Sequence, residues 1–134
     1  SNGYIAFACM VSSALRIEKT ARESPVHIKL RNHQNAYYVA HVQVGHQDLN
    51  VVMDSGSLDT VLLSRSCPNC GDPAHLYDPE ASPTRESLDY FSWHHYGSGQ
   101  LHTKLLFESL TVGNFTVKRA SMWEVTWANM PVLA

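Results

Sequence analysis

An all-β domain built of hairpins is the fold class this sequence predicts, on three observations. From Tyr37 to Val44 apolar and polar residues alternate, Val42 and Val44 against His41 and Gln43, which is the period of a strand with one buried face. Apolar, β-branched runs recur at 49–54, 60–64, 88–94, 101–112 and 115–125, and turns bearing Gly45, Gly56, Gly97 or Gly113 punctuate them. After residue 25 no segment keeps its apolar residues on one helical face through three turns.

Taken in order, the chain begins with an uncharged stretch, residues 1–15, that Arg16 ends. It suits the tail of a signal peptide, with Ser12-Ser13-Ala14 behind the apolar run, and equally a strand or helical turn packed on the domain or on a partner. The charged residues 17–23 suit a short helix or a tether. Residues 1–24 are therefore read as an extension and 25–134 as the domain. Alternation at 26–30 predicts a first strand and 31–35 a turn. Tyr37–Val44 then pairs through a turn at Gly45-His46-Gln47-Asp48 with a strand over 49–54. Residues 60–64 form a short buried strand. Residues 65–86 hold four prolines and two of the three cysteines, which predicts one long surface loop. Strands resume at 88–94, 101–112 and 115–125.

Composition narrows the function classes. A hydrophobic share of 44% over 134 residues supports one domain with a real core. Net charge is −2 and the ten basic residues are scattered, so no nucleic-acid partner is expected. No apolar stretch reaches the ~18 residues of a spanning helix. Cys67-Pro68-Asn69-Cys70 admits a tight disulfide loop, half of a zinc site or a redox pair. No second Cys-x-x-Cys exists, and Gly71-Asp72-Pro73 follows where a redox motif would open a helix, so a structural disulfide is expected. Cys9 makes the cysteine count odd. Asn114-Phe115-Thr116 is a glycosylation sequon in a predicted turn, and with the cysteines it points to the secretory route.

The stretch with the most chemistry is Val51-Val52-Met53-Asp54-Ser55-Gly56-Ser57. An aspartate that ends a buried strand needs donors in the following turn, and Ser55, Ser57 and the amides around Gly56 can supply them. Taken alone, these seven residues are better accounted for by an ordinary polar turn with Asp54 as a turn residue. The flanking segments decide between the two. Tyr37-Tyr38-Val39-Ala40 with Val42-Gln43-Val44-Gly45, the Asp54 turn, the Cys67 to Cys70 loop, Tyr77-Asp78-Pro79 with Ala81-Ser82-Pro83-Thr84, and Tyr96-Gly97-Ser98-Gly99 stand in one order along the chain. In that order they resemble the amino-terminal lobe of the pepsin-like aspartic proteases, over roughly residues 25–134.

The resemblance implies peptide hydrolysis by two aspartates, one from each lobe, with a water between them. Two carboxylates so close cannot both ionise, and aspartic proteases are the standard illustration of that rule. Asp54 matches one of the pair and Ser57 the serine that steadies it. Tyr96 matches the flap tyrosine that closes on bound peptide, with Gly97, Ser98 and Gly99 forming the hairpin turn. The implied partners are a peptide or protein substrate and a second lobe or chain carrying the other aspartate. No cofactor or metal is implied, and the implied compartment is secretory, vacuolar, lysosome-like or extracellular.

The departures carry weight too. No second Asp-Ser/Thr-Gly occurs, so catalysis by this chain alone is not expected. Thr103 and Leu106 stand where the family has further flap glycines, which predicts a stiffer or reshaped flap. Val61 stands where a tryptophan supports the flap tyrosine. The family's Asp-Gly-Ile-x-Gly-Leu type stretch would follow Ala134, so the lobe is read as incomplete at its C-terminal end. Three functional readings follow: a first lobe of an endopeptidase, a homodimer giving one aspartate per chain, and a non-catalytic, protease-like interaction subunit of a larger assembly. Among other residues, His94 and His95 point to opposite faces of a strand and are read as solvated rather than as metal ligands. Trp93, Trp123 and Trp127 suit either an aromatic binding surface or the core. Asp59 reads as a surface or turn residue.

Overall fold

The structure, a computed structural model, describes residues 27–57 and 59–131, together with the backbone pairing of Phe7–Ala8. Its strands are β1 (Phe7–Ala8), β2 (Arg31–His33), β3 (Tyr37–Val44), β4 (Gln47–Met53), β5 (Val61–Leu63), β6 (Glu86–Tyr96), β7 (Gly99–Val112) and β8 (Phe115–Asn129), with a 3-10 turn at Pro73–His75. They form one sheet in the order β2-β3-β4-β1-β5-β8-β7-β6. A further pairing, Gln43 and Val44 of β3 with Thr111 and Leu110 of β7, joins the sheet to itself. Six strands thereby close into a ring, β3-β4-β1-β5-β8-β7, while β2 and β6 remain at the margins. This is the all-β, closed and hairpin-rich fold that the sequence predicts.

Local chemistry sets the turns. Gly45 (φ 55°) and His46 (φ 66°) form a two-residue turn between Val44 and Gln47, tighter than the four residues expected. Two left-handed residues in succession match the twist of the strands they join. The first strand differs from expectation: residues 27–30 are not in a strand, and β2 occupies Arg31–His33 instead. The reason is the turn. Gln34 (φ 53°) and Asn35 (φ 57°) take the left-handed positions, and the Asn35 amide donates to Asn32 Oδ1 at 2.9 Å. The chain therefore reverses after His33, which pairs with Tyr37. The expected strands at 88–94, 101–112 and 115–125 are each longer at one or both ends. Of the extension, Phe7 and Ala8 pair with Val52 and Met53 of β4. The expected signal-peptide tail and the tether at 17–23 otherwise lie outside the described residues, as does Cys9.

Two apolar clusters fill the fold. One contains Ala40, Val42, Val44, Leu49, Val51, Leu62, Tyr77, Leu106 and Met122. The other contains Val61, Leu63, Cys67, Cys70, Leu76, Leu101, Val125, Ala128 and Met130, with Tyr96 and Trp123 packed on it. Strand β5 separates them: Leu62 points one way, Val61 and Leu63 the other, so an uninterrupted apolar run is what both faces need.

The segment 65–86 is not wholly a surface loop. Tyr77 is completely buried, its amide donating to the Leu63 carbonyl and its own carbonyl accepting from Arg65 N. The reason is a carboxylate that the sequence reading passed over. Glu108 on β7 is fully buried, and it accepts from Tyr77 Oη (2.7 Å), Ser82 Oγ (2.5 Å), Thr84 Oγ1 and the Ser109 amide (2.8 Å). Burial pushes this carboxyl up, but the hydrogen bonds from Ser82, Thr84, Tyr77 and Ser109 outweigh it and hold the group below its ordinary value. The Tyr-Asp-Pro and Ser-Pro-Thr segment is thus a set of donors that pins the loop to β7. Glu124 on β8 plays the same part nearer the cysteines, with Ser64, Ser66 and Arg85 as partners.

Candidate active site

Asp54 follows the last residue of β4 and is half-buried. Ser57 Oγ donates to its Oδ2 at 2.5 Å, and the Gly56 amide donates to Oδ1 at 2.9 Å. These two bonds, Ser57 first, hold the carboxyl below the usual carboxylate range. Ser57 supplies the hydroxyl; Ser55 is exposed. The turn is tight: a Cβ on Gly56 would lie 3.2 Å from Asp54 Oδ1. A short turn with a glycine at its centre therefore presents one ionised, oriented carboxylate at the end of a strand.

The hairpin between β6 and β7 turns at Gly97-Ser98, both exposed, with Tyr96 paired to Gly99. Tyr96 is half-buried, and its hydroxyl is raised by burial and by the negative charges of Asp59 and Asp54. The tyrosine at the base of the hairpin tip and the strand-end aspartate thus belong to one neighbourhood. Gly99 (φ 148°) lies where a Cβ would strike the Asn129 carbonyl and Met130. At Gly97 nothing lies within 4 Å of such a Cβ, so the turn requires glycine at Gly99 and not at Gly97. Thr103 and Leu106 are fully buried, and Thr103 Oγ1 donates to the Ser92 carbonyl across the hairpin at 3.2 Å.

Cys67 and Cys70 form the expected disulfide, and both are buried in the second cluster. Between them Asn69 acts as a short strand would, its side chain donating to the Ala128 carbonyl and accepting from the Ala128 amide. The loop is thereby fastened to the end of β8. Asn114 is exposed in the turn between Val112 and Phe115, as a glycosylation acceptor must be.

One histidine departs from its sequence reading, and Asp59 and the three tryptophans take partners that the sequence does not mark. Asp59 is an exposed residue in a bend, as its sequence reading has it, and its carboxylate also accepts from Trp123 Nε1 at 3.3 Å and lies 3.8 Å from His94 Nδ1. His94 is not solvated, its side chain being 12% exposed and its ring 5.0 Å from that of Trp123. The tryptophans divide. Trp123 packs on the second cluster, whereas Trp93 and Trp127, 54% and 38% exposed, meet edge to face at 5.7 Å on the other side of the sheet. No signal in sequence spacing could have joined Asp59 to Trp123, which are 64 residues apart and meet only because β5 pairs in parallel with β8. Among the described residues no three of His, Cys, Asp or Glu converge as metal ligands would.

Chemically, the site offers one carboxylate held below its ordinary value, a serine that orients it, and a hairpin whose base tyrosine feels the charge of that carboxylate. A single such carboxylate can accept a proton from water. Comparison with known proteins agrees with that chemistry. The family model described as eukaryotic aspartyl protease matches residues 37–133. Aspartic protease pepA of Arthroderma gypseum is 35% identical over 82 residues, which is 59% of this chain and 20% of that protein. Renin-2 of Mus musculus is 31% identical over 105 residues, covering 74% of this chain and 26% of that protein. A probable vacuolar protease A of Arthroderma benhamiae is 29% identical over 107 residues, covering 78% and 27%. The chain therefore spans about a fifth to a quarter of the length of these relatives.

Proposed function

The chain belongs to the eukaryotic aspartyl protease family, and on that premise we propose that it is an endopeptidase lobe supplying one of two catalytic carboxylates. Asp54 is that carboxylate. The observation that carries the reading is the bonding of Asp54 itself: Ser57 and the Gly56 amide donate to one oxygen each, which keeps the group ionised as a general base while a partner aspartate holds the shared proton. In this reading Tyr96, Gly97 and Ser98 close over a bound peptide, water is excluded, and the chain's aspartate takes a proton from the attacking water. The second aspartate comes from a second lobe or a partner chain, and the substrate is a peptide or unfolded protein. Traffic through the secretory route, towards a vacuole-like, lysosome-like or extracellular compartment, fits the Cys67–Cys70 bridge and an exposed sequon at Asn114.

A second reading is favoured by one observation, the exposed aromatic row of Phe91, Trp93 and Trp127. On that reading the lobe is a non-catalytic interaction subunit of a larger assembly. Intact mass of the native protein, with peptide mapping of whatever is attached or copurifies, separates the two. The endopeptidase reading expects a segment bearing Asp-Ser/Thr-Gly. Copurification with unrelated subunits and no such segment overturns it.

A further inference from the structure

We propose that Asp59 is a positioning residue that latches the flap strand β6 to the loop carrying Asp54, acting through Trp123 and His94. Among the described residues strand β6 lies at the margin of the sheet and pairs with β7 alone, with a register irregularity between Ser87 and Phe91. Its other attachment is made by side chains. Tyr90 and His94, on one face of β6, hold the Trp123 indole between them at 5.9 and 5.0 Å between ring centres. That indole belongs to β8, and it is tied to the catalytic-turn loop twice. The Trp123 amide donates to the Thr60 carbonyl at 2.8 Å, and its ring N–H donates to Asp59 at 3.3 Å. Asp59 completes the circuit with its second oxygen, 3.8 Å from His94 Nδ1.

The arrangement gives each polar group one role. His94 Nε2 is buried without a hydrogen-bond partner, so Nδ1 is the side of the ring that the carboxylate can orient. The titratable groups around His94 include Asp59 from the loop and, on the same face of its own strand, Tyr90 and Tyr96. Strand β7 presents Leu101 opposite it, and β8 presents Trp123, neither of which titrates. With the imidazole protonated, Asp59 holds an ion pair to β6 and a hydrogen bond to β8 at once. With it neutral, the pull on β6 weakens while the indole bond remains. Tyr96 lies two residues beyond His94 on the same face, so whatever fixes His94 also restrains Tyr96.

Two measurements on the chain test this, neither of which needs proteolysis. Hydrogen exchange of the amides at 92–96 should quicken about tenfold in Asp59→Ala, the scale expected for losing a hydrogen bond to a charged group, and Asp59→Glu should restore most of the protection. In a Trp93→Phe/Trp127→Phe background the remaining emission is that of Trp123. It should change when the ring or the carboxylate beside the indole is removed, in His94→Gln and in Asp59→Ala alike. Unchanged protection at 92–96 in Asp59→Ala, or Trp123 emission that neither substitution moves, overturns the latch. The effect on catalysis rests on the endopeptidase reading, whereas these two signals do not. A latch seen in a native protein that carries a second Asp-Ser/Thr-Gly segment and yet cleaves nothing would refute that reading alone.

Discussion

At Asp54 the two carboxylate oxygens are bonded differently, Oδ2 by a hydroxyl and Oδ1 by an amide. The amide is fixed by the backbone, and the hydroxyl is the part that a substitution can remove. Ser57→Ala should therefore raise the Asp54 carboxyl back towards its ordinary value. In the active protein that change would move the acid limb of the pH–activity profile upward, with little loss at the optimum, and a profile measured on both forms checks it. The site was legible here because the chemistry is local: strand, aspartate, glycine and serine lie within four residues. Asp59 was illegible for the opposite reason, since its partners come from two distant strands. Glu108 was hidden by its company, Leu105, Leu106 and Phe107, among which a glutamate reads as solvent-facing. Only the folded loop brings Tyr77, Ser82 and Thr84 to its oxygens.

The β6–β7 hairpin is the element on which the proposed function depends. Its two glycines look equivalent in sequence and are not in space. Gly99→Ala places a methyl against the Asn129 carbonyl at a φ that side chains rarely adopt, and should cost about 1–3 kcal/mol. Gly97→Ala meets open space and should leave the thermal midpoint within the scatter of surface substitutions, about 0.5 kcal/mol in stability. Melting curves of the two variants side by side check the contrast. Strand β2 shows the limit of reading alternation alone. Residues 26–30 alternate as well as a strand does, yet pairing is set by where the chain can reverse, and Gln34-Asn35 reverse it after His33. The Gly45-His46 turn was readable because glycine marks it.

Across the whole molecule, closure of six strands buries two apolar clusters and two carboxylates, Glu108 and Glu124. A carboxyl held low in the folded state stabilises it above the unfolded value, and that contribution fades as pH falls through the folded value. Glu108, depressed from 4.5 by its donors, should thus keep the domain folded in mild acid and release the 65–86 segment only below that range. Glu108→Gln should lower the melting temperature near neutrality and flatten its decline on acidification, which thermal scans across pH check. An acid-tolerant scaffold is what the proposed carboxylate pair would need. The closed topology itself was readable as a class, from strand periods and glycine turns. Its strand order was not, because parallel pairing of β5 with β8 leaves no local mark. The central claim is that Asp54 is half of a working pair, and the direct measurement is hydrolysis of an unfolded protein at acid pH by the native protein and by Asp54→Asn. The account predicts cleavage that drops by ~10³-fold or more in the variant, the scale of a lost general base. Cleavage that survives the substitution would contradict it.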